Sequence, residues 1–206
     1  MGQSTRRLFV IALAVLSLAG CDKLGGNKGA VTADDMGLGN PNAKVTVIEY
    51  ASATCPHCAR FNNEVFPGFK AKYIDTGRIH YVFREFLTPP PEVAAAAFLT
   101  ARCAGKDKYF SVLDAVFKGQ TAMFQSGDVK GSLLNIAESA GLTEAQFNAC
   151  ISDDAALKAL NDRVQRYIDK DGIDSTPTFV INGKKLVGEQ TEAMLDKAIA
   201  DAQSAT

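Results

Sequence analysis

Two spacings of apolar residues run through the chain and divide it into strands and helices. Lys44-Val45-Thr46-Val47-Ile48-Glu49-Tyr50 is a β-branched run, which predicts a strand buried on both faces. Asn40-Pro41-Asn42 is the turn that introduces it. From Pro56 onward Phe61, Val65, Phe69 and Tyr73 recur every four residues. That period predicts a helix with one apolar face, kinked at Pro67 and closed by Gly77. Arg78 to Phe86 is the next strand, with Ile79, Tyr81 and Phe83 alternating against His80, Val82 and Arg84.

From about Pro91 to Lys170 the pattern is helical throughout. One segment carries Tyr109, Leu113, Val116 and Phe117 on a face, and another carries Leu157, Leu160, Val164 and Ile168. Thr143-Glu144-Ala145-Gln146 fits a capping box, and Gly141 just before it ends the preceding helix. Strands return with Thr178 to Ile181 and Lys184 to Val187, which flank the hairpin dipeptide Asn182-Gly183. Thr191 opens a last helix carrying Met194, Leu195 and Ile199. This order predicts an α/β fold, a small sheet covered by helices, with a helical subdomain inserted at about 91–170.

The first residues read differently. Arg6 and Arg7 precede the apolar run Leu8 to Leu18, and the small residues Ala19 and Gly20 precede Cys21. That is the pattern of a signal peptide, shorter than the roughly 20 apolar residues that cross a bilayer. Leu18-Ala19-Gly20-Cys21 resembles a bacterial lipoprotein cleavage box, which implies a cysteine acylated at a new N-terminus. Asp22 resembles the signal that keeps such lipoproteins on the inner membrane. Thr5-Arg6-Arg7-Leu8-Phe9 approximates a twin-arginine signal, so the Sec and Tat routes both stay open. Residues 22–35, with Gly25, Gly26, Asn27 and Gly29, read as a flexible tether to a domain over 36–206. Over the 206 residues, 22 basic side chains balance 23 acidic ones, so charge argues for no nucleic-acid partner.

With Cys21 assigned to lipidation, Cys55, Cys58, Cys103 and Cys150 remain for an oxidising compartment. Four thiols allow three pairings. The two-residue gap favours Cys55 with Cys58, which leaves Cys103 for Cys150 as a structural bridge. A zinc site is the competing use of Cys-x-x-Cys, but besides isolated cysteines only His80 is at hand as a further ligand. No metal is expected, and no cofactor other than the redox-active pair itself. A Cys-x-x-Cys beside a strand-helix-strand unit is the setting of a thioredoxin-like redox motif.

Disulfide exchange needs an attacking thiolate, and the start of a helix favours one through its unpaired N–H groups and dipole. Cys55 stands there, with Pro56 at the first helical position, where its missing N–H costs nothing. Cys58, one turn further in, is placed to resolve a mixed disulfide. His57 can stabilise the neighbouring thiolate and so make the disulfide more oxidising. Glu49, on the strand face of Val45 and Val47, would have its pKa raised by burial and could exchange protons with Cys58.

From about Met36 to Ala202 the chain resembles the DsbA family of periplasmic thiol:disulfide oxidoreductases, a thioredoxin-like fold with a helical insertion. The residues that carry the likeness are Gly39-Asn40-Pro41, Val47-Ile48-Glu49-Tyr50 leading into Cys55-Pro56-His57-Cys58, and Thr176-Pro177-Thr178-Phe179. The resemblance implies that Pro177 is cis and lies against the redox pair, and that Thr176 and Pro177 hold the client chain. It implies for Glu49 the place of a buried acidic residue that moves protons near the inner cysteine. Thr176 departs from the valine of the best-known oxidases, and threonine there occurs in isomerases.

The expected function is oxidation of exported envelope proteins on the periplasmic side, from a lipid anchor in the inner membrane. Its partners would be reduced or unfolded clients and a quinone-linked membrane protein that reoxidises the pair. The alternatives are an isomerase or reductase of the same fold, or an envelope protein that binds clients or metal.

Overall fold

The computed structural model describes residues 1–2 and 30–205; the rest of the leader, Cys21 and the tether up to residue 29 lie outside them. Five strands form one sheet: β1 (Met36–Gly39), β2 (Thr46–Ala51), β3 (His80–Glu85), β4 (Thr178–Ile181) and β5 (Lys184–Val187), in the order β1-β3-β2-β4-β5. β2 and β3 are parallel and the other pairs antiparallel. Helices are α1 (Pro56–Arg60), α2 (Phe66–Phe69), α3 (Pro91–Cys103), α4 (Lys106–Ser126), α5 (Val129–Ser139), α6 (Glu144–Ile151), α7 (Asp154–Asp169) and α8 (Glu192–Ser204). This is the thioredoxin-like α/β architecture, with α3 to α7 inserted between β3 and β4.

The capping box closes as Thr143 Oγ1 accepts from the Gln146 N–H and the Gln146 side chain accepts from the Thr143 N–H. The hairpin turns at Asn182 (φ 44°) and Gly183 (φ 86°), as a two-residue primed turn requires.

One strand is added and three local expectations are corrected. β1, formed by Met36–Gly39 against β3, is an additional strand, too short and glycine-rich to show a period of its own. Between α1 and α2 the helix widens into a π-helical turn, Phe61–Val65, in which the Phe66 N–H reaches Phe61 O. That turn accommodates Pro67, whose ring cannot fit an ordinary α-helical interior. β3 does not alternate: Val82 and Arg84 are as buried as Tyr81 and Phe83. On α7, Ile168 is exposed, and the buried stripe is Leu160, Arg163, Val164 and Tyr167.

The last two departures share a cause at the end of β3. Glu85, 1% exposed, accepts from Arg102 Nε at 2.5 Å, Arg163 Nη2 at 2.8 Å and Tyr109 Oη at 3.1 Å. Arg84 is held by Asp35 at 2.9 Å, Asp171 at 3.0 Å and Tyr50 Oη at 2.7 Å. Buried charges are tolerated when paired and hydrogen-bonded, so Arg163 lies inside and turns α7 with it. These contacts tie α3, α4 and α7 to the sheet, and a disulfide from Cys103 to Cys150, with Cα atoms 6.2 Å apart, ties α3 to α6.

Candidate active site

β2 delivers the chain into the buried segment Ser52 to Cys55, and α1 begins at once. Cys55 is the N-cap, in extended conformation (φ −82°, ψ 119°), with Pro56 at the first helical position. A thiol in that place meets unpaired N–H groups, and the Cys58 N–H donates to Cys55 Sγ at 3.4 Å. Cys55 and Cys58 are both free thiols, 6% and 0% exposed.

The environment drives their acidities apart. The Cys55 thiol falls from 9.0 to about 5, above all because the Cys58 thiol donates to it; the Thr176 side chain and the N–H groups of Cys58 and His57 add to this against burial. Cys58 moves well above 9.0, chiefly through burial, then through Cys55 and the charge of Glu49. At neutral pH one sulfur is therefore a nucleophile while the other keeps its proton.

Glu49, 3% exposed on β2, accepts from Tyr81 Oη at 2.5 Å. Its carboxyl rises from 4.5 to about 8, because burial outweighs that hydrogen bond. A cavity of about 20 Å³ joins Glu49 and Tyr81 to half-buried Asn62, room for about one water.

The Thr176–Pro177 peptide is cis. Thr176 O accepts from Cys55 Sγ at 3.5 Å. Thr176 Oγ1 is buried without a hydrogen-bond partner, and a hydroxyl so placed favours the Cys55 thiolate, to which it can donate. His57 is exposed, with Nδ1 bonded to Glu189 Oε1. The structure thus gathers Glu49, Cys55, Pro56, His57, Cys58 and Thr176 at one end of the sheet, whereas Cys103 and Cys150 sit in the helical insertion. Among the described residues no group of three His, Cys, Asp or Glu side chains could hold a metal.

Four residues at the site carry no sequence signal of their role. Gln120 Nε2, from α4, donates to Ala53 O at 2.8 Å and Cys55 O at 3.2 Å, so the helical insertion satisfies carbonyls of the redox loop. Tyr81 partners Glu49, and Arg60 and Glu189 partner each other and, through Glu189, His57. Each pairing spans a long stretch of chain, which no local pattern records.

A family model described as Thioredoxin matches residues 31–201. A Rickettsia bellii protein, named provisionally as a protein-disulfide oxidoreductase, is 34% identical over 175 residues, 83% of this chain and 67% of the relative. A Rickettsia typhi protein of the same provisional name is 30% identical over 172 residues, 82% of this chain and 63% of the relative. The chain therefore spans about two thirds or less of the length of these curated relatives. The crystal structure of alpha-DsbA1 from Wolbachia pipientis superposes with a TM-score of 0.74 at 30% identity, over 85% of this chain and 96% of that one. That of oxidised BdbD from Bacillus subtilis reaches 0.72 at 22% identity, over 82% and 93%, a likeness of fold.

Proposed function

Since the chain belongs to the DsbA family of thioredoxin-fold proteins, we propose that it is a thiol:disulfide oxidoreductase that introduces disulfides into exported proteins. The observation that carries this reading is Cys55 at the N-cap of α1, where its Sγ accepts from the Cys58 N–H at 3.4 Å, with Cys58 fully buried one turn further in. This arrangement lowers the first thiol and raises the second. A client thiolate attacks Cys55 Sγ of the disulfide form; the Cys55–Cys58 bond breaks and Cys58 leaves. Glu49, a carboxylic acid at neutral pH by its raised pKa, supplies the proton Cys58 then takes. A second client thiolate attacks the client sulfur of the mixed disulfide. The client gains its disulfide, and Cys55 leaves as the thiolate that the helix start favours. Two electrons have moved from client to enzyme, and a membrane partner linked to quinones would remove them.

Thr176 borders Cys55, whose Sγ donates to its carbonyl, and Thr176 and Pro177 would hold the client backbone there. An exported location, with Cys21 lipidated on the inner membrane, completes the reading; the leader residues support it. A second reading, an isomerase or reductase, is favoured by Thr176 ahead of the cis-proline.

Cys58→Ser tests the proposal. In this variant the Cys55 thiolate attacks a client disulfide and no Cys58 thiol is present to displace the client again, so mixed disulfides with envelope proteins should accumulate, and Cys55→Ser should trap almost none. The reverse pattern on diagonal gels would mean that attacker and resolver are misassigned. Alkylation of whole cells separates oxidase from isomerase: the pair should be trapped oxidised in the first case and reduced in the second.

A further inference from the structure

The loop between β5 and α8 brings a carboxylate to the redox helix. Gly188, at φ +85°, turns the chain out of β5 while its N–H donates to Pro177 O at 2.8 Å. Pro177 and Glu189, the residue after Gly188, are thereby fixed to one another. Glu189 Oε1 engages Nδ1 of His57, and Arg60 Nη1 donates to both carboxylate oxygens, at 3.0 and 3.1 Å. His57 therefore faces two claims. As the histidine between the cysteines it could donate a hydrogen bond or lend its charge to Cys55, and its ring nitrogen is instead bound to an anion. Residue 57 favours the Cys55 thiolate through its backbone N–H.

Resting on the exchange chemistry above, we propose that Glu189 is a positioning residue that withholds the His57 imidazole from Cys55, making the Cys55–Cys58 disulfide a weaker oxidant than its motif alone would. The sign follows from the imidazole N–H. Glu189 holds His57 Nδ1 with a carboxylate, and a neutral amide in its place holds the ring less strongly, because charge-assisted hydrogen bonds are about twice as strong as neutral ones. The loosened ring can turn Nδ1–H toward Cys55, and a thiolate gains from such a donor. A more stable thiolate favours the dithiol form and makes the disulfide more oxidising.

The test is Glu189→Gln in the full chain, which keeps the shape and removes the charge. Two quantities are read: the midpoint of Cys55 thiolate absorbance against pH, and the dithiol/disulfide equilibrium with glutathione. The variant should lower the midpoint by about half a unit and shift the equilibrium about threefold toward the dithiol. In a His57→Ala background the same substitution should shift neither. A midpoint that rises or stays put overturns the inference, and so does a gain that persists without His57, since the carboxylate would then act on Cys55 directly. Should the unsubstituted chain itself lack a depressed midpoint and Cys58→Ser trap no client, the exchange reading falls as well. With those intact and Glu189→Gln silent, the inference alone falls.

Discussion

Tyr81 donates its hydroxyl proton to Glu49 Oε2 at 2.5 Å, and both side chains are sealed from solvent, at 2% and 3% exposure. They share one face of the sheet, since Val47 lies opposite Tyr81 and Glu49 opposite Phe83 in the β2–β3 register. The hydrogen bond favours the carboxylate, yet burial prevails and the acid form persists to about pH 8. A neutral acid beside a buried thiol of raised pKa is suited to passing it a proton as Cys58 leaves the disulfide.

The folded pKa of Glu49, about 8, exceeds its unfolded value of 4.5. Its stability contribution is therefore fully present below pH 4.5 and is lost as pH rises through 8. Glu49→Gln, which does not titrate, should gain on the wild type by several kcal/mol between those limits. Denaturant melts of both proteins from pH 4.5 to 9 measure the difference, and a flat difference would mean an ordinary carboxyl. The departure of Cys58 as a client thiolate attacks Cys55 should slow in the same variant.

Thr176→Val replaces the unpartnered buried Oγ1 with a methyl of like shape. An orphaned hydroxyl is costly, so the protein with Cys55 as a thiol, the form in which Oγ1 is unpartnered, should gain about 1 kcal/mol. The Cys55 midpoint should rise, because the Thr176 side chain favours the thiolate, and the glutathione equilibrium should move toward the disulfide. Titration of thiolate absorbance reads the shift, and a fall in the midpoint would contradict it.

What could be read from sequence was local. The Asn182-Gly183 hairpin, the Thr143 capping box and the Cys55 N-cap are each written within a few residues, and short-range chemistry decides them. β1 has four residues, two of them glycine, so it offers no period and exists through its pairing with β3. Arg163 and Ile168 exchange inside for outside because Glu85, on a strand 78 residues away, needs cationic partners. The contacts of Gln120 with Ala53 and Cys55, and of Glu189 with His57, likewise arise only once the insertion and the β5–α8 loop close over α1.

The central claim is that the fold favours the dithiol form of Cys55 and Cys58 over their disulfide. Cys55 falls from 9.0 unfolded to about 5 folded, so its contribution is complete above pH 9 and is lost as pH falls through 5. At pH 7 it stabilises the reduced protein by about 2.7 kcal/mol. The disulfide closes a loop of about four residues and restricts the unfolded chain by roughly 2 kcal/mol. Denaturant unfolding of both redox forms across pH, with Cys103–Cys150 intact in each, compares these directly. The reduced form should be the more stable by about 1 kcal/mol at pH 7, with the two forms equal near about pH 6.4. A disulfide form that stays the more stable from pH 6 to 9 would make the pair a reducing centre of thioredoxin type and contradict the oxidase account.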